Sequence, residues 1–213
     1  PLIRDGVFQT TKTDRLNHGI GVENMLGTNP LTFGMPTDEE FPFVLDCATS
    51  IVQRGKIEYY ARIGKDTPAG QVIGRNGEAL TDSVEILDDL NTGKAALAPL
   101  GGIGEDLAGY KGYGYATVVE ILSAALQQGN FLRALSGIGP NKEKIPFHLG
   151  HFFIAIDTEA FMGLEAFKKT AGDILRDLRN SEKAPGAERI YTAGEKEYLV
   201  WQKRKDSGVP IND

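Results

Sequence analysis

The stretch Phe43-Val44-Leu45-Asp46-Cys47-Ala48-Thr49-Ser50 carries the first strong structural signal of this chain. The apolar run over residues 41–47 predicts a buried β-strand. Ser50 and Gln53 then have the Ser-x-x-Gln spacing of a capping box, which predicts a helix over residues 51–63. A buried strand that leads into a helix indicates an α/β fold.

The junction between this strand and this helix has a chemical meaning as well as a structural one. The free N–H groups and partial positive charge of a helix N-terminus suit a phosphate or a carboxylate. Asp46 can accept hydrogen bonds from a ribose there, although plain helix capping explains the same pattern. Arg54 and Lys56 can hold an anion, or they can form an exposed basic helix face.

Glycines are concentrated between residues 101 and 114. Such density indicates that the backbone approaches something closely or adopts positive φ. Gly102 and Gly104 resemble the start of a dinucleotide fingerprint, but Leu107 stands where the third glycine belongs, which argues against a Rossmann site. Lys111 lies among these glycines before a predicted helix, where it can meet an anionic ligand or remain a solvated loop lysine.

The rest of the chain alternates between strand and helix patterns. Between residues 64 and 113, regular structure is predicted only at 71–73. A second capping box, Thr192 to Glu195, opens the terminal helix. This terminal helix is expected to continue through about residue 205. The remaining predicted elements are strands at 31–35 and 148–157 and helices at 115–128 and 160–179.

Composition excludes several classes of protein. The chain has 213 residues, of which 41% are hydrophobic and 24% charged, and this mixture is typical of a globular protein rather than a disordered one. No stretch approaches the roughly 18 apolar residues of a membrane span. The net charge of −6 argues against nucleic acid as a partner.

The cysteine and histidine residues argue against a metal site. Cys47 is the single cysteine, which excludes an intrachain disulfide and a multi-cysteine zinc site and favours a reducing, cytoplasmic compartment. His148 and His151 are three residues apart in a predicted strand, so their side chains are expected to point to opposite faces. The sequence therefore predicts no bound metal.

Several phrases, taken in chain order, resemble the malate/L-lactate dehydrogenase family, which is distinct from the Rossmann-type lactate and malate dehydrogenases. The resemblance covers nearly everything from about Gly21 to the C-terminus. The matching phrases lie at 26–30 (LGTNP), 43–50 (FVLDCATS), 54–57 (RGKI), 99–102 (PLGG), 109–114 (GYKGYG), 119–122 (VEIL), 150–157 (GHFFIAID) and 193–195 (AGE).

This resemblance implies hydride transfer between a nicotinamide cofactor, NAD or NADP, and a 2-hydroxy/2-oxo acid. By matched position, Thr28 and Lys56 look like substrate contacts. The positions that look like cofactor contacts are Asp46, Cys47, Ala48, Lys111, Gly112, Ala193, Gly194 and Glu195. No position distinguishes NAD from NADP. Malate, lactate, sulfolactate and ureidoglycolate-like substrates all fit the family, and overall resemblance favours malate with oxaloacetate.

The resemblance also implies a fold and an assembly. We expect a non-Rossmann α/β arrangement with a mixed sheet, flanking helices and a homodimer. Residues 1–157 are expected to form the nicotinamide-binding and substrate region. Residues 158–213 are expected to form a helical segment that packs against an N-terminal domain which this sequence does not include.

The proton donor is the part of the chemistry that these residues leave unassigned. Reducing a ketone by hydride transfer requires a proton source near the new alkoxide. The family carries this group on the histidine of a Ser-His-Gly segment, expected in the N-terminal third that this sequence does not include. His18, in Asn17-His18-Gly19, is too close to Thr28 in sequence to match it. The alternative interpretation is a non-catalytic cofactor-binding or dimerisation module built on the same scaffold.

Overall fold

Short strands alternate with helices along the chain, whose structure, a computed structural model, describes residues 21–211. This order confirms the predicted α/β class. Within the described residues the strands form two two-stranded sheets, β1 with β2 and β3 antiparallel to β4, whereas the family resemblance implied a mixed sheet. The elements are β1 (Leu31–Met35), β2 (Phe43–Cys47), α1 (Arg54–Arg62), β3 (Val72–Gly74), α2 (Ser83–Thr92), β4 (Ala95–Leu97), α3 (Gly109–Ala125), α4 (Leu164–Asn180) and α5 (Glu195–Arg204).

The first of two compact units comprises residues 21–31 and 47–153 of the described chain. Its main core lies where α1 and α2 pack on the β3–β4 pair, around Ile57, Ile86 and Leu97. Helix α2 and strand β4 were not predicted, although α2 carries clear signals at both ends. The Asp82 carboxylate accepts hydrogen bonds from two backbone N–H groups at the start of the helix, and Gly93 follows its end with φ 73°.

The start of α1 differs from the prediction. The helix begins at Arg54, and its N-cap residue Gln53 makes no side-chain capping bond. Ser50 pairs with Pro99, and the Ile51 N–H donates to the Ala98 carbonyl at 3.0 Å. The prediction of a helix start at residue 51 was wrong because the backbone at 50–51 extends the edge of the sheet instead of turning into a helix.

Helix α3 begins at Gly109, six residues before its predicted start. The glycine-rich phrase is therefore the first part of a helix rather than a loop. A Cβ on Gly109 would lie 2.0 Å from the Gly102 carbonyl oxygen, and one on Gly112 would lie 2.3 Å from Leu100 backbone atoms. The glycines let the helix pack directly on the backbone of residues 100–102.

The second unit comprises residues 32–46 and 154–211, and it contains most of the β1–β2 pair together with α4 and α5. Strand β2 forms as predicted, but it is not buried: Val44 is 38% exposed and Leu45 37% exposed. Helix α4 ends at Asn180, before the predicted break at residues 183–186. Helix α5 begins at Glu195 with Gly194 rather than Thr192 at its N-cap, although the Glu195 carboxylate accepts the Thr192 N–H as a capping box predicts.

The strand predicted at 148–157 is absent from the described residues. Phe153 is 94% exposed and Ile154 74% exposed, so the segment is not buried either. An extended segment becomes a strand only when a partner satisfies its backbone groups, and none of the described residues pairs with it as a strand. His148 and His151 therefore lie in irregular chain, and His18 lies outside the described residues.

Candidate functional site

Three segments of the first unit that carry predicted site residues share one hydrogen-bonded framework. The Thr28 carbonyl accepts the backbone N–H and the side-chain hydroxyl of Thr49, both at 2.9 Å. The Thr49 carbonyl accepts the Leu100 N–H at 2.7 Å, and the Leu100 carbonyl accepts the Gly112 N–H at 3.1 Å. Thr28, the chain beside Ala48 and the start of α3 are thus held together by consecutive bonds.

A second connection joins the segment next to Thr28 to the middle of α3. The Asn29 side-chain amide donates to the Ala116 carbonyl and to a carboxylate oxygen of Glu120, each at 2.9 Å. The other Glu120 oxygen accepts the Leu132 N–H at 2.7 Å. Asn29 has φ 37°, in the left-handed region that asparagine tolerates better than most residues.

Lys111 lies in the first turn of α3, and its side chain is exposed. Its ammonium nitrogen is 5.9 Å from the centre of the Tyr110 ring. The N–H groups of Gly109, Lys111 and Gly112 donate to backbone carbonyls of residues 100–108. In this turn the exposed ammonium is therefore the group best placed to meet an anion.

The other predicted residues of the first unit are less closely connected. Lys56 is exposed on α1, with its ammonium nitrogen 5.0 Å from the ring centres of both Tyr59 and Tyr60. Cys47 ends β2 as a half-buried free thiol. Ser50 is 5% exposed, and its hydroxyl oxygen has no hydrogen-bond partner among the described residues.

In the second unit, the predicted site residues Asp46, Ala193 and Gly194 lie on strand β2 or next to it. The Asp46 carboxylate, exposed on β2, accepts a 2.8 Å hydrogen bond from the Thr32 hydroxyl on β1. The Val44 N–H donates to the Ala193 carbonyl at 3.4 Å. Gly194 has φ 89°, and a Cβ there would lie 2.9 Å from the Pro42 carbonyl oxygen, so the turn packs directly on the backbone before β2.

Glu195 is buried, with 1% of its surface exposed. One carboxylate oxygen accepts from the Arg189 guanidinium, and the other accepts the Thr192 N–H at 3.1 Å. The guanidinium of Arg179 on α4 lies 3.9 Å from that second oxygen. The structure thus places the Glu195 carboxylate among protein groups and away from solvent.

Asp38, in the loop after β1, forms an exposed ion pair with Arg176 of α4. The Asp38 carboxylate accepts two hydrogen bonds from Arg176, at 2.9 and 3.1 Å. These bonds hold the pKa of Asp38 below its ordinary value of 3.8, and the pKa of Arg176 is raised by the same pairing. The pKa of Asp173 is lowered by hydrogen bonds from Lys169 and then from Arg176.

Replacing Asp38 by asparagine is expected to lower stability at neutral pH by an amount that disappears in acid. Because the folded-state pKa of Asp38 is depressed, its contribution is present above the unfolded-state value of 3.8 and is lost as pH falls through the folded-state pKa. Urea midpoints of wild type and Asp38→Asn, measured from neutral pH downward, test this. A difference in midpoint that stays constant into strong acid would contradict it.

Comparison with known proteins identifies the family of this chain. Residues 7–213 match the model of the malate/L-lactate dehydrogenase family. This chain belongs to that family. It is 41% identical over 191 residues to the malate dehydrogenase of Pyrococcus horikoshii, covering 90% of this chain and 50% of that protein. It is 34% identical to the L-sulfolactate dehydrogenase of Methanocaldococcus jannaschii, covering 87% of this chain and 49% of that protein.

A solved structure of a similar protein agrees with the fold. The crystal structure of malate dehydrogenase from Entamoeba histolytica has a TM-score of 0.79 and 46% sequence identity, covering 90% of this chain and 53% of that chain. The chain therefore spans about half the length of the curated relatives it matches. None of the helices described between residues 21 and 211 has the length and hydrophobicity that a membrane crossing requires. Within the same range, no three histidine, cysteine, aspartate or glutamate side chains are grouped as a metal site would need.

Sequence reasoning missed residues that hold this family member's candidate site together. Thr49, Asn29 and Glu120 connect the segment around Thr28 to α3, and Arg179 lies close to Glu195 in the second unit. Thr49 and Asn29 stand inside phrases that match the family, so the phrases located them without revealing their roles. Glu120 also stands inside a matching phrase, whereas Arg179 stands outside all of them, and only its contacts with Glu39 and Glu195 distinguish it from the other charges of α4.

Proposed function

We propose that the protein carrying this chain is an NAD(P)-dependent oxidoreductase that transfers a hydride between the nicotinamide and a 2-hydroxy/2-oxo acid, with malate and oxaloacetate favoured. The observation that carries the proposal is family membership together with the framework that joins Thr28, the chain beside Ala48 and the start of α3. These segments are far apart in sequence, and a shared ligand site gives a reason for holding them together. The family's non-Rossmann fold and a homodimer belong to the same proposal.

The chemistry of the exposed groups fits a nicotinamide dinucleotide. We assign the Lys111 ammonium to a phosphate of the cofactor and the Asp46 carboxylate to a ribose hydroxyl, which it can accept while still bound to Thr32. Cys47, Ala48, Gly112, Ala193 and Gly194 contribute backbone near the cofactor, and Thr28 and Lys56 contact the acid. When bound, the cofactor supplies or accepts the hydride. The chain's own residues hold and orient the two reactants.

Lys111→Ala and Asp46→Ala are each expected to weaken NADH binding by roughly 10- to 100-fold, since each removes a charge-assisted hydrogen bond. Titrating the full-length protein with NADH and following cofactor fluorescence measures this. Lys94→Ala and Asp88→Ala serve as matched controls. Lys94 follows α2, Asp88 lies on α2, and both side chains are exposed. Unchanged affinity in both test variants would overturn the site assignment.

Adding oxaloacetate to the NADH complex and following absorbance tests turnover. Loss of NADH absorbance is expected. Binding without turnover, with oxaloacetate and with the 2-oxo acids of lactate and sulfolactate, would favour the non-catalytic binding module instead. An absence of NADH and NADPH binding would reject the proposed function altogether.

A further inference from the structure

Four consecutive residues after β1, which we call the latch loop (residues 38–41), are each bound to a helix of the second unit. Asp38 and Glu39 pair with arginines of α4. The Glu40 carboxylate accepts from the Tyr198 hydroxyl at 2.8 Å, and Phe41 stacks on the Tyr198 ring with centroids 5.3 Å apart. The loop that leads into β2 is therefore held by both α4 and α5.

Two arginines on α4 bind this loop in different surroundings. Arg176 has a side chain 37% exposed and pairs with Asp38, Glu39 and Asp173, two of which are comparably exposed. Arg179 has a side chain only 16% exposed and pairs with Glu39, whose side chain is 11% exposed. A pair withdrawn from water in this way holds its geometry far more strongly than a solvated one.

Arg179 also reaches the turn before α5. Its guanidinium donates to the Thr192 hydroxyl at 3.1 Å and lies 3.9 Å from the Glu195 carboxylate. The same carboxylate accepts the Thr192 N–H, and the Ala193 carbonyl accepts the Val44 N–H. The turn 192–194 is thus fixed on one side by Arg179 and Glu195 and on the other side by the start of β2.

We propose that Arg179 is a positioning residue that sets cofactor affinity by holding turn 192–194 against β2, a proposal that rests on the proposed function. Arg179 lies between the half-buried carboxylate of Glu39 and the buried carboxylate of Glu195. Without its charge, Glu39 keeps only Arg176 and Glu195 keeps only Arg189 as ion-pair partners among the described residues, and the guanidinium that connects the two carboxylates is lost. The turn then loses its fixed position beside the strand that carries Asp46.

The matched pair Arg179→Met and Arg176→Met isolates this role in the full-length protein. Both variants remove a guanidinium of α4 that binds the latch loop, but only Arg179 reaches residues 192–195. Arg179→Met is expected to raise the dissociation constant for NADH by roughly tenfold or more, and Arg176→Met by less than about twofold. Arg179→Lys, which keeps the charge but not the branched donor geometry, is expected to give an intermediate value.

Hydrogen exchange of the backbone supplies a readout that does not depend on the cofactor. Exchange of the peptide covering 190–195 is expected to accelerate in Arg179→Met and to stay near wild type in Arg176→Met. Should Arg179→Met fail to fold, Glu195→Gln, which keeps side-chain size and removes the charge, tests the same pairing and is expected to weaken NADH binding. Its folded state is checked by circular dichroism.

The outcomes separate this inference from the function on which it rests. If wild type binds NADH and the two methionine variants bind it equally well, the positioning role is rejected while the proposed function stands. Faster exchange of turn 192–194 with unchanged NADH affinity also rejects it, because the turn would then be structural only. If wild type binds no nicotinamide cofactor, the proposed function fails and the positioning role fails with it.

Discussion

Replacing Gly112 by alanine is expected to lower the free energy of unfolding by about 3 kcal/mol or more and to abolish NADH binding. A Cβ at this position would lie 2.3 Å from both the nitrogen and the oxygen of Leu100 and 2.7 Å from its Cα. These are backbone atoms, so no side-chain rotation relieves the clash. The start of α3 must move away from residues 99–102, which breaks the bond from the Gly112 N–H and displaces Lys111.

Gly114→Ala is the matched control for this prediction. Gly114 lies two residues further along α3, is exposed, and has no atom within 4 Å of an added Cβ. Alanine is the better helix former, so this change is expected to raise stability by about 0.5–1 kcal/mol. Chemical denaturation of both variants measures the two effects. Equal behaviour of the two variants would show that the close approach at Gly112 is not required.

Truncating Ile57 to alanine is expected to lower stability by about 2–5 kcal/mol. Ile57 is the buried residue of α1, with 0% of its surface exposed, and it packs in the core shared with Ile86, Leu90 and Leu97. Removing three carbons there leaves a cavity as well as losing apolar burial. Because α1 also carries Lys56, we expect substrate affinity to fall together with stability.

Ile63→Ala tests whether this cost comes from burial. Ile63 immediately follows α1 and is 53% exposed. The same chemical change at this position is expected to shift stability by no more than about 0.5 kcal/mol. Urea midpoints of the two variants provide the comparison. A similar loss at both positions would mean that α1 is not held through Ile57.

Local signals in the sequence were enough where an element's ends are defined by its own residues. Strand β1 matches its predicted range, and the Thr192–Glu195 signal lies directly before α5, although Gly194 is the N-cap residue. Helix α2 carries comparable signals in Asp82 and Gly93, although the glycine- and aspartate-rich stretch around it is typical of a loop. These elements depend on capping and periodicity, which neighbouring residues determine.

Local sequence patterns gave wrong predictions where the backbone structure depends on hydrogen-bond partners that are distant in sequence. Ser50 and Gln53 have the spacing of a capping box, yet Ser50 pairs with Pro99 and the helix begins later. Residues 148–157 have the composition of a strand, yet none of the described residues pairs with them. Strand formation and helix starts at such places depend on hydrogen-bond partners that are remote in sequence, and no local pattern reveals them.

The sequence by itself determined the α/β class, the family phrases and the candidate residues, because helix periodicity, glycine density and motif spacing are local properties of the chain. Only the tertiary structure decided what those glycines approach, namely the Leu100 and Gly102 backbone. It also decided which charges are withdrawn from water. Arg176 and Arg179 look alike in sequence, and only the structure shows that Arg179 is the less exposed of the two and the one that approaches Glu195, where electrostatic interactions strengthen as water is excluded.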